Sequence, residues 1–435
     1  MNNLLRGILI LLIPVWANGQ TTHLTLQEAL DAAQKNNQSI KLSQLEADAS
    51  RAQFKQTQAV FLPQVNVSYT AITTNNPLNA FGLKLQQQAI TASDFNPALL
   101  NNPSGTQNFM TKIELQQPII NLDLIYQRQA AGKQAEALLF KHQRTRQYVA
   151  FELEKAYAQL QLSHRAVAVM EQAVISAKAV ALSTQHRFEQ GYLQQSDILQ
   201  VQVQVANLES KLAEANSNVQ NASDYLGLLM GMQPGTVYET DTLAYNQPGS
   251  SRESIPENRA DFAAMQAAVQ ARENILKSNK MTYAPKLNAF GEFMFNDSGA
   301  FGFGSDAYLI GAQLSWTVFN GTATHHRISN QRIERDKAAR ELEFQKAQAQ
   351  LELSKTTRQL QDTQNLVNQQ TLASAQAKEV FRLMQNRYAQ GLITTTELLQ
   401  AQTMMAQQEL GQAQAQAQLI ITQAYLSFLT TTPNL

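Results

Sequence analysis

The chain has 435 residues, 34 basic and 34 acidic side chains, and no cysteine. Balanced charge leaves no net field to gather nucleic acid or an anionic surface. The lack of thiols excludes disulfides, thiolate metal sites, a cysteine nucleophile and lipid attachment through an N-terminal cysteine.

Residues 1–19 read as an export signal: Arg6 near the front, the apolar run Gly7 to Trp16, then Ala17-Asn18-Gly19 as a small-x-small site before Gln20. The run is shorter than the ~20 residues a spanning helix needs. No later stretch is expected to span as a helix, so membrane insertion would have to use strands.

Proline inside a helix costs ~3 kcal/mol, so proline placement divides the rest. Two windows without proline, 119–233 and 286–432, predict two long helical hairpins. The first repeat, 20–230, reads as a helix from about Thr25 to Phe61, strands at about 64–73 and 109–117, and a hairpin over 121–230 with its bend at 189–196. Residues 231–257, with Pro, Gly and Ser, read as a linker that can pack around the middle of the helices. The second repeat, 258–430, follows the same plan: a helix from about Asn258 to Tyr283, strands at about 286–296 and 308–319, and a hairpin over 320–430 with its bend at 389–396. A short tail, 431–435, ends the chain.

The strands show a two-residue period. Val65, Val67, Tyr69 and Ala71 alternate with polar residues, as do Ile113 and Leu115, and Phe293, Phe295, Tyr308 and Ile310 continue the pattern. This suits tilted strands that are apolar toward lipid and polar toward a lumen, although a soluble hairpin alternates in the same way. Phe290, Phe293, Phe295, Phe301, Phe303, Tyr308, Trp316 and Phe319 gather around one hairpin, and Tyr69, Phe293, Tyr308 and Trp316 are the candidate membrane-interface aromatics. The links differ: 74–108 is long and rich in Asn, Pro and Gln, and 297–307 is short and glycine-rich. Both suit the extracellular side. Four strands cannot close a barrel, and open edges cannot sit in lipid, so a membrane role requires several copies to pool their strands.

Seven-residue frames mark the helices as packed coils. Leu153, Leu160, Val167, Val174, Ala181 and Phe188 lie on one frame, matched by Leu353, Leu360, Val367, Ser374, Phe381 and Tyr388. Each descending helix is about 70 residues, or ~100 Å. After the first bend the seam is complete (Val201, Leu208, Ala215, Ala222, Leu229). After the second, Gln408, Gln412 and Thr422 interrupt it, so the second hairpin is expected to pack less well or to face something polar.

The bends carry the strongest repeat. RFEQGYLQQSDILQ, Arg187 to Gln200, aligns without a gap on RYAQGLITTTELLQ, Arg387 to Gln400. Gly191 and Gly391 tolerate the left-handed backbone that ends a helix. Ser196 and Thr395 or Thr396 are candidate caps for the following helices, with Asp197 and Glu397 just inside. Arg187 and Arg387 are candidates to brace the bends or to serve as functional clamps there.

Nothing suggests catalysis. His325-His326 are neighbours, ~100° apart on a helix, where paired ligands on one face need i, i+4 spacing. No phosphate loop, nucleophile elbow or HExxH run occurs, and no metal or cofactor is expected.

FLPQVNVSYT and YAPKLNAFGE at the helix-to-strand joints, LQQPIIN and LSWTVFN at the strand-to-helix joints, and the paired bends resemble TolC-type outer membrane efflux proteins over essentially the whole mature chain. The resemblance implies a mostly α fold with a small β part. Three protomers would pool four strands each into a 12-stranded β-barrel, continued by long antiparallel coiled-coil helices as a periplasmic α-barrel. It implies a homotrimer in the outer membrane of a Gram-negative bacterium: a passive duct serving tripartite efflux or type I secretion, in contact with outer membrane lipid, a periplasmic adaptor protein and an inner-membrane pump. By position, Tyr388 matches a tyrosine of that family's closing latch, Asp197 an acid on the first hairpin and Glu397 an acid of the ring at the pore end. Ile393 and Gln400 depart from the pattern, standing where a latch arginine and a second ring acid are found. The alternative is a periplasmic or surface coiled-coil scaffold with soluble hairpins.

Overall fold

The computed structural model describes residues 22–242 and 254–432. The expected export signal at 1–19, part of the linker and the last residues of the tail lie outside them. The elements in chain order are β1 (Thr22–Leu24), α1 (Leu26–Asn36), α2 (Gln38–Gln56), β2 (Gln64–Thr74), α3 (Pro77–Gln86), α4 (Pro97–Asn101), β3 (Thr106–Ile120), α5 (Leu122–Glu189), α6 (Gln195–Leu229), β4 (Tyr238–Thr240), α7 (Ala260–Met281), β5 (Lys286–Asp297), β6 (Ser305–Ser315), α8 (Ala323–Ala389) and α9 (Thr395–Thr430). They form two compact units, one of residues up to Gln44, Lys141–Ala260 and Gln345 onward, the other of Leu45–Phe140 and Asp261–Phe344.

In the first unit the heptad leucines are core. Leu153 and Leu160 of α5 are fully buried with Leu226 and Met230, joined by Ala29, Ala33, Ile40, Tyr157 and Tyr238. Part of the linker belongs to this core, because β4 pairs in parallel with β1 and the Tyr157 hydroxyl donates to Leu24 O at 2.9 Å. The helix expected over 25–61 is interrupted at Asn37. This side chain accepts from the backbone N–H groups of Ser39 and Ile40 and donates to Leu229 O at 2.8 Å, giving the backbone an alternative to the helical ladder.

Two further expectations change. Helix α9 of the second hairpin is well packed despite its glutamines: it buries Leu398, Met405, Leu419, Leu426 and Leu429 together with Ala401, Ala406, Ala413, Ala415, Ala417 and Ala424. Small side chains let neighbouring helices come close, so alanine adds to leucine as the packing surface. Helix α5 has a stretch long and apolar enough to cross a membrane, contrary to expectation. Its apolar positions Val169, Ala173, Val174 and Ala177 instead pack with Leu208 of α6 and Ala406 of α9.

In the second unit β2-β3-β5-β6 form one antiparallel sheet in that order, with β2 and β6 at its edges. The register puts Val67, Ile113, Phe293 and Tyr308 in one row and Val65, Leu115, Gly291 and Ile310 in the next. The opposite face carries Asn66, Glu114, Glu292 and Leu309 in a row. Strand β3 is longer than expected, running through Pro118, where the pairing with β5 shifts register and a missing N–H is tolerated. Strand β6 lies earlier than expected, so Trp316, Val318 and Phe319 fall beyond it. Phe290 leaves the aromatic group, since its ring lies over Gly311 on the polar-residue face.

The stretch between β2 and β3 is also not a plain loop. Asn76 caps α3, which has Pro77 in its first turn, and Lys84 pairs with Asp94 at 2.6 Å. The end of α3 joins the polar-residue face: Gln87 donates to Asn108 Oδ1 at 2.9 Å, Asn108 donates to Asn296 Oδ1 at 3.0 Å, and the Ser305 hydroxyl donates to Gln86 O. At the other end of the sheet, Lys286 reaches Asp123 at 2.6 Å and Asn121 donates to Asn288 Oδ1 at 2.8 Å, fixing the start of α5 to β5.

Candidate functional site at the paired bends

Both descending helices end in the same motif. Gly191 has φ +79° and Gly391 φ +73°. Gly191 N–H donates to Phe188 O and Tyr192 N–H to Arg187 O, while Gly391 N–H donates to Tyr388 O and Leu392 N–H to Arg387 O. This pair of bonds, closed by a left-handed residue, satisfies the last carbonyls of a helix. The next helices start earlier than Ser196, Thr395 and Thr396 suggested. Thr394 N–H donates to Glu397 Oε2 at 2.7 Å, with Glu397 N–H returning to Thr394 Oγ1 at 3.3 Å, and Gln194 N–H donates to Asp197 Oδ2 at 3.0 Å. An acid three residues into the helix therefore selects residue 194 or 394 as the cap. Glu397 is held below its ordinary carboxylate pKa, chiefly by the Thr394 N–H and then by the Thr394 hydroxyl.

The two bends pack on one another inside a single chain. Val180 and Val201 meet Ala377, Phe381, Tyr388, Leu398, Ala401 and Met405, with Ile393 at the margin. Tyr388 is 4% exposed. Its hydroxyl lies 2.9 Å from Thr184 Oγ1 and 3.3 Å from Thr395 Oγ1. Because the Thr184 hydroxyl donates to Val180 O, Tyr388 donates to Thr184 and accepts from Thr395. The Arg187 guanidinium stands 4.6 Å from the Tyr388 ring centre and donates to Ala389 O at 2.9 Å. Thr396 adds a bond to Gln200 Oε1 at 2.9 Å.

The structure thus brings Arg187 and Tyr388 together and leaves Arg387 exposed, while Asp197 and Glu397 lie in their helix caps. Thr184, Thr395 as a Tyr388 partner, and Gln200 were missed. Thr184 had a signal: it continues the seven-residue frame of Val149, Ala156, Met170 and Ala177, and the equivalent position of the other repeat is Met384.

Among the aromatics, Tyr69 stacks on Phe301 at 5.1 Å and accepts from its N–H at 3.0 Å. Phe293 and Tyr308 are direct cross-strand partners on the apolar face. The Trp316 indole N–H donates to Tyr283 O at 2.9 Å, eight residues from Tyr308, or ~26 Å along an extended chain. No group of three or more metal-binding side chains occurs among the described residues.

A sequence model of outer membrane efflux proteins matches residues 29–232 and 252–432. The chain belongs to that family. Its fold is that of outer membrane channels. It matches the Campylobacter jejuni CmeC outer membrane channel at 15% identity, with 93% of this chain and 85% of that one covered and a TM-score of 0.80. It matches the Vibrio cholerae outer membrane protein VceC at 16%, covering 94% and 97%, with a TM-score of 0.77. A membrane protein from Pseudomonas aeruginosa matches at 19%, covering 93% of each chain, with a TM-score of 0.78. No curated protein matches the sequence. This outer membrane efflux protein therefore serves efflux at the outer membrane, with the fold of the outer membrane channels it is similar to.

Proposed function

We propose that three copies of the chain form one duct. Strand β6 of each protomer pairs with β2 of the next to close a twelve-stranded barrel, the helices continue it through the periplasm, and a periplasmic adaptor with an inner-membrane pump opens it at the bends. The observation that carries this reading is the four-stranded sheet with an apolar, aromatic-bearing face and two unpaired edge strands among the described residues. In lipid every edge must find a partner, and a heterologous pairing that closes makes a ring. The test is the mass of the mature protein extracted in mild detergent from the outer membrane fraction. We expect three chains per particle and ion conductance in planar bilayers; a folded single chain recovered without detergent would overturn it and favour a coiled-coil scaffold.

The bends are the gate in this reading. Arg187 and Tyr388 lock the two hairpins of a protomer together, and Asp197 and Glu397 line the narrow end while capping their helices. Exchanging Asp197→Asn and Glu397→Gln keeps an oxygen for each cap and removes the charge. The expected outcome is a lower preference for cations in bilayers with a small loss of thermal stability, since a neutral amide caps less strongly than a carboxylate; unchanged selectivity in conducting channels would take both acids out of the pore.

A further inference from the structure

The polar-residue face of the sheet carries a charge cluster far from the bends in sequence. Glu114 of β3 and Glu292 of β5 are direct cross-strand partners, an arrangement that repels when both are ionised. Lys112 lies between them, its Nζ 2.6 Å from Glu114 Oε1 and 3.0 Å from Glu292 Oε1. One ammonium serving two carboxylates leaves a net charge of one negative. The other ionisable side chain on this face, Lys286, is paired with Asp123 at 2.6 Å, so the cluster holds the unbalanced charge. The three side chains are 22–28% exposed. Glu114 and Glu292 border a concavity of about 910 Å³ whose polar lining includes Gln64, Gln116, Asn288 and Gln313, side chains that would not be stable against hydrocarbon.

We propose that Lys112, Glu114 and Glu292 form a selectivity ring inside the β-barrel, drawing cations and holding back anions independently of the acids at the bends. The inference rests on the trimeric duct, in which the apolar face must meet lipid and the polar-residue face must line the lumen. Three copies then place a net negative charge at one level of the lumen, where low-dielectric walls focus its field.

The experiment is the ratio of potassium to chloride permeability, from reversal potentials of the full mature protein in planar bilayers. Glu292→Gln leaves a neutral Lys112–Glu114 pair and should lower the ratio about twofold or more. Lys112→Gln leaves two carboxylates and should raise it. If that variant fails to assemble, Lys112→Gln with Glu114→Gln restores the original net charge and should match the wild type. Opposite shifts from the first two substitutions, or wild-type selectivity in the double variant beside a lowered ratio in Glu292→Gln, support the ring. Conducting channels whose ratio is the same in wild type and Glu292→Gln overturn it while leaving the duct intact. A wild-type protein that forms no trimer or conducts nothing overturns the duct and the ring together.

Discussion

Tyr388 ties the two bends together: its ring lies under Arg187, its hydroxyl is shared by Thr184 and Thr395, and it is buried in one cluster with Phe381 and Leu398. Tyr388→Phe keeps the packing and removes the two hydroxyl bonds, so a loss of about 1–2 kcal/mol is expected. Thr184→Val should cost a similar amount, and the two together less than their sum, as read from thermal or denaturant midpoints in detergent. Arg187→Ala should destabilise, since it removes a ring contact and a carbonyl bond, whereas the same change at exposed Arg387 should do little. Glu397 adds a dependence on pH. Its folded pKa is lowered from 4.5, so its stabilising contribution is complete above pH 4.5 and is lost as the pH falls through the lowered value. Amide protection around Leu398 should therefore weaken only in acid below that point, and Glu397→Gln should remove the pH dependence. At this scale the glycines and acids were legible, because turn chemistry is local. The clamp was not: Arg187 and Tyr388 are two hundred residues apart, and only packing brings them together.

Among the elements, periodicity served the long helices and the strands best, because each must show one face to a partner over many residues. It served least where a single side chain overrides the period. Asn37 breaks a helix that its neighbours would continue. Asn76-Pro77 starts a helix inside what composition suggested was an outward loop, although a cap residue before a proline is itself a start signal. Short β4 carries too few residues for any period, and its pairing with β1 depends on the fold around it. The turn after α6 shows how tightly these junctions are held. Gly231 has φ +72°, and a Cβ placed there would lie 2.6 Å from Asn36 O. Gly191 has a similar φ with open space around it. Gly191→Ala should cost only the left-handed strain of about 1–2 kcal/mol, while Gly231→Ala should cost clearly more, because α1 must also move. Comparing the two variants in one denaturant series checks this.

For the whole molecule, the sequence carried the order of the long helices and the four sheet strands and the internal repeat, since those follow from pattern. It misjudged the packing of α9. Glutamine and threonine in the α9 seam suggested looseness, but an alanine stripe beside the leucines buries that helix more fully than α6. Lys178–Glu209 and Lys378–Glu409, at 2.6 and 2.7 Å, repeat the same cross-hairpin pair at equivalent positions, so the repeat extends to surface charge as well as to the core.

Because Arg187 of one reversal must reach Tyr388 of the other, the chain cannot shorten one coil and leave its twin alone. Excising seven residues from α8 and seven facing residues from α9 would preserve every seam, yet it would retract that tip by ~10 Å and strand the guanidinium. The matching excision from α5 and α6 should restore the contact. Length is therefore inherited in pairs: the single-hairpin deletion should melt earlier than the paired one, although it removes half as much protein.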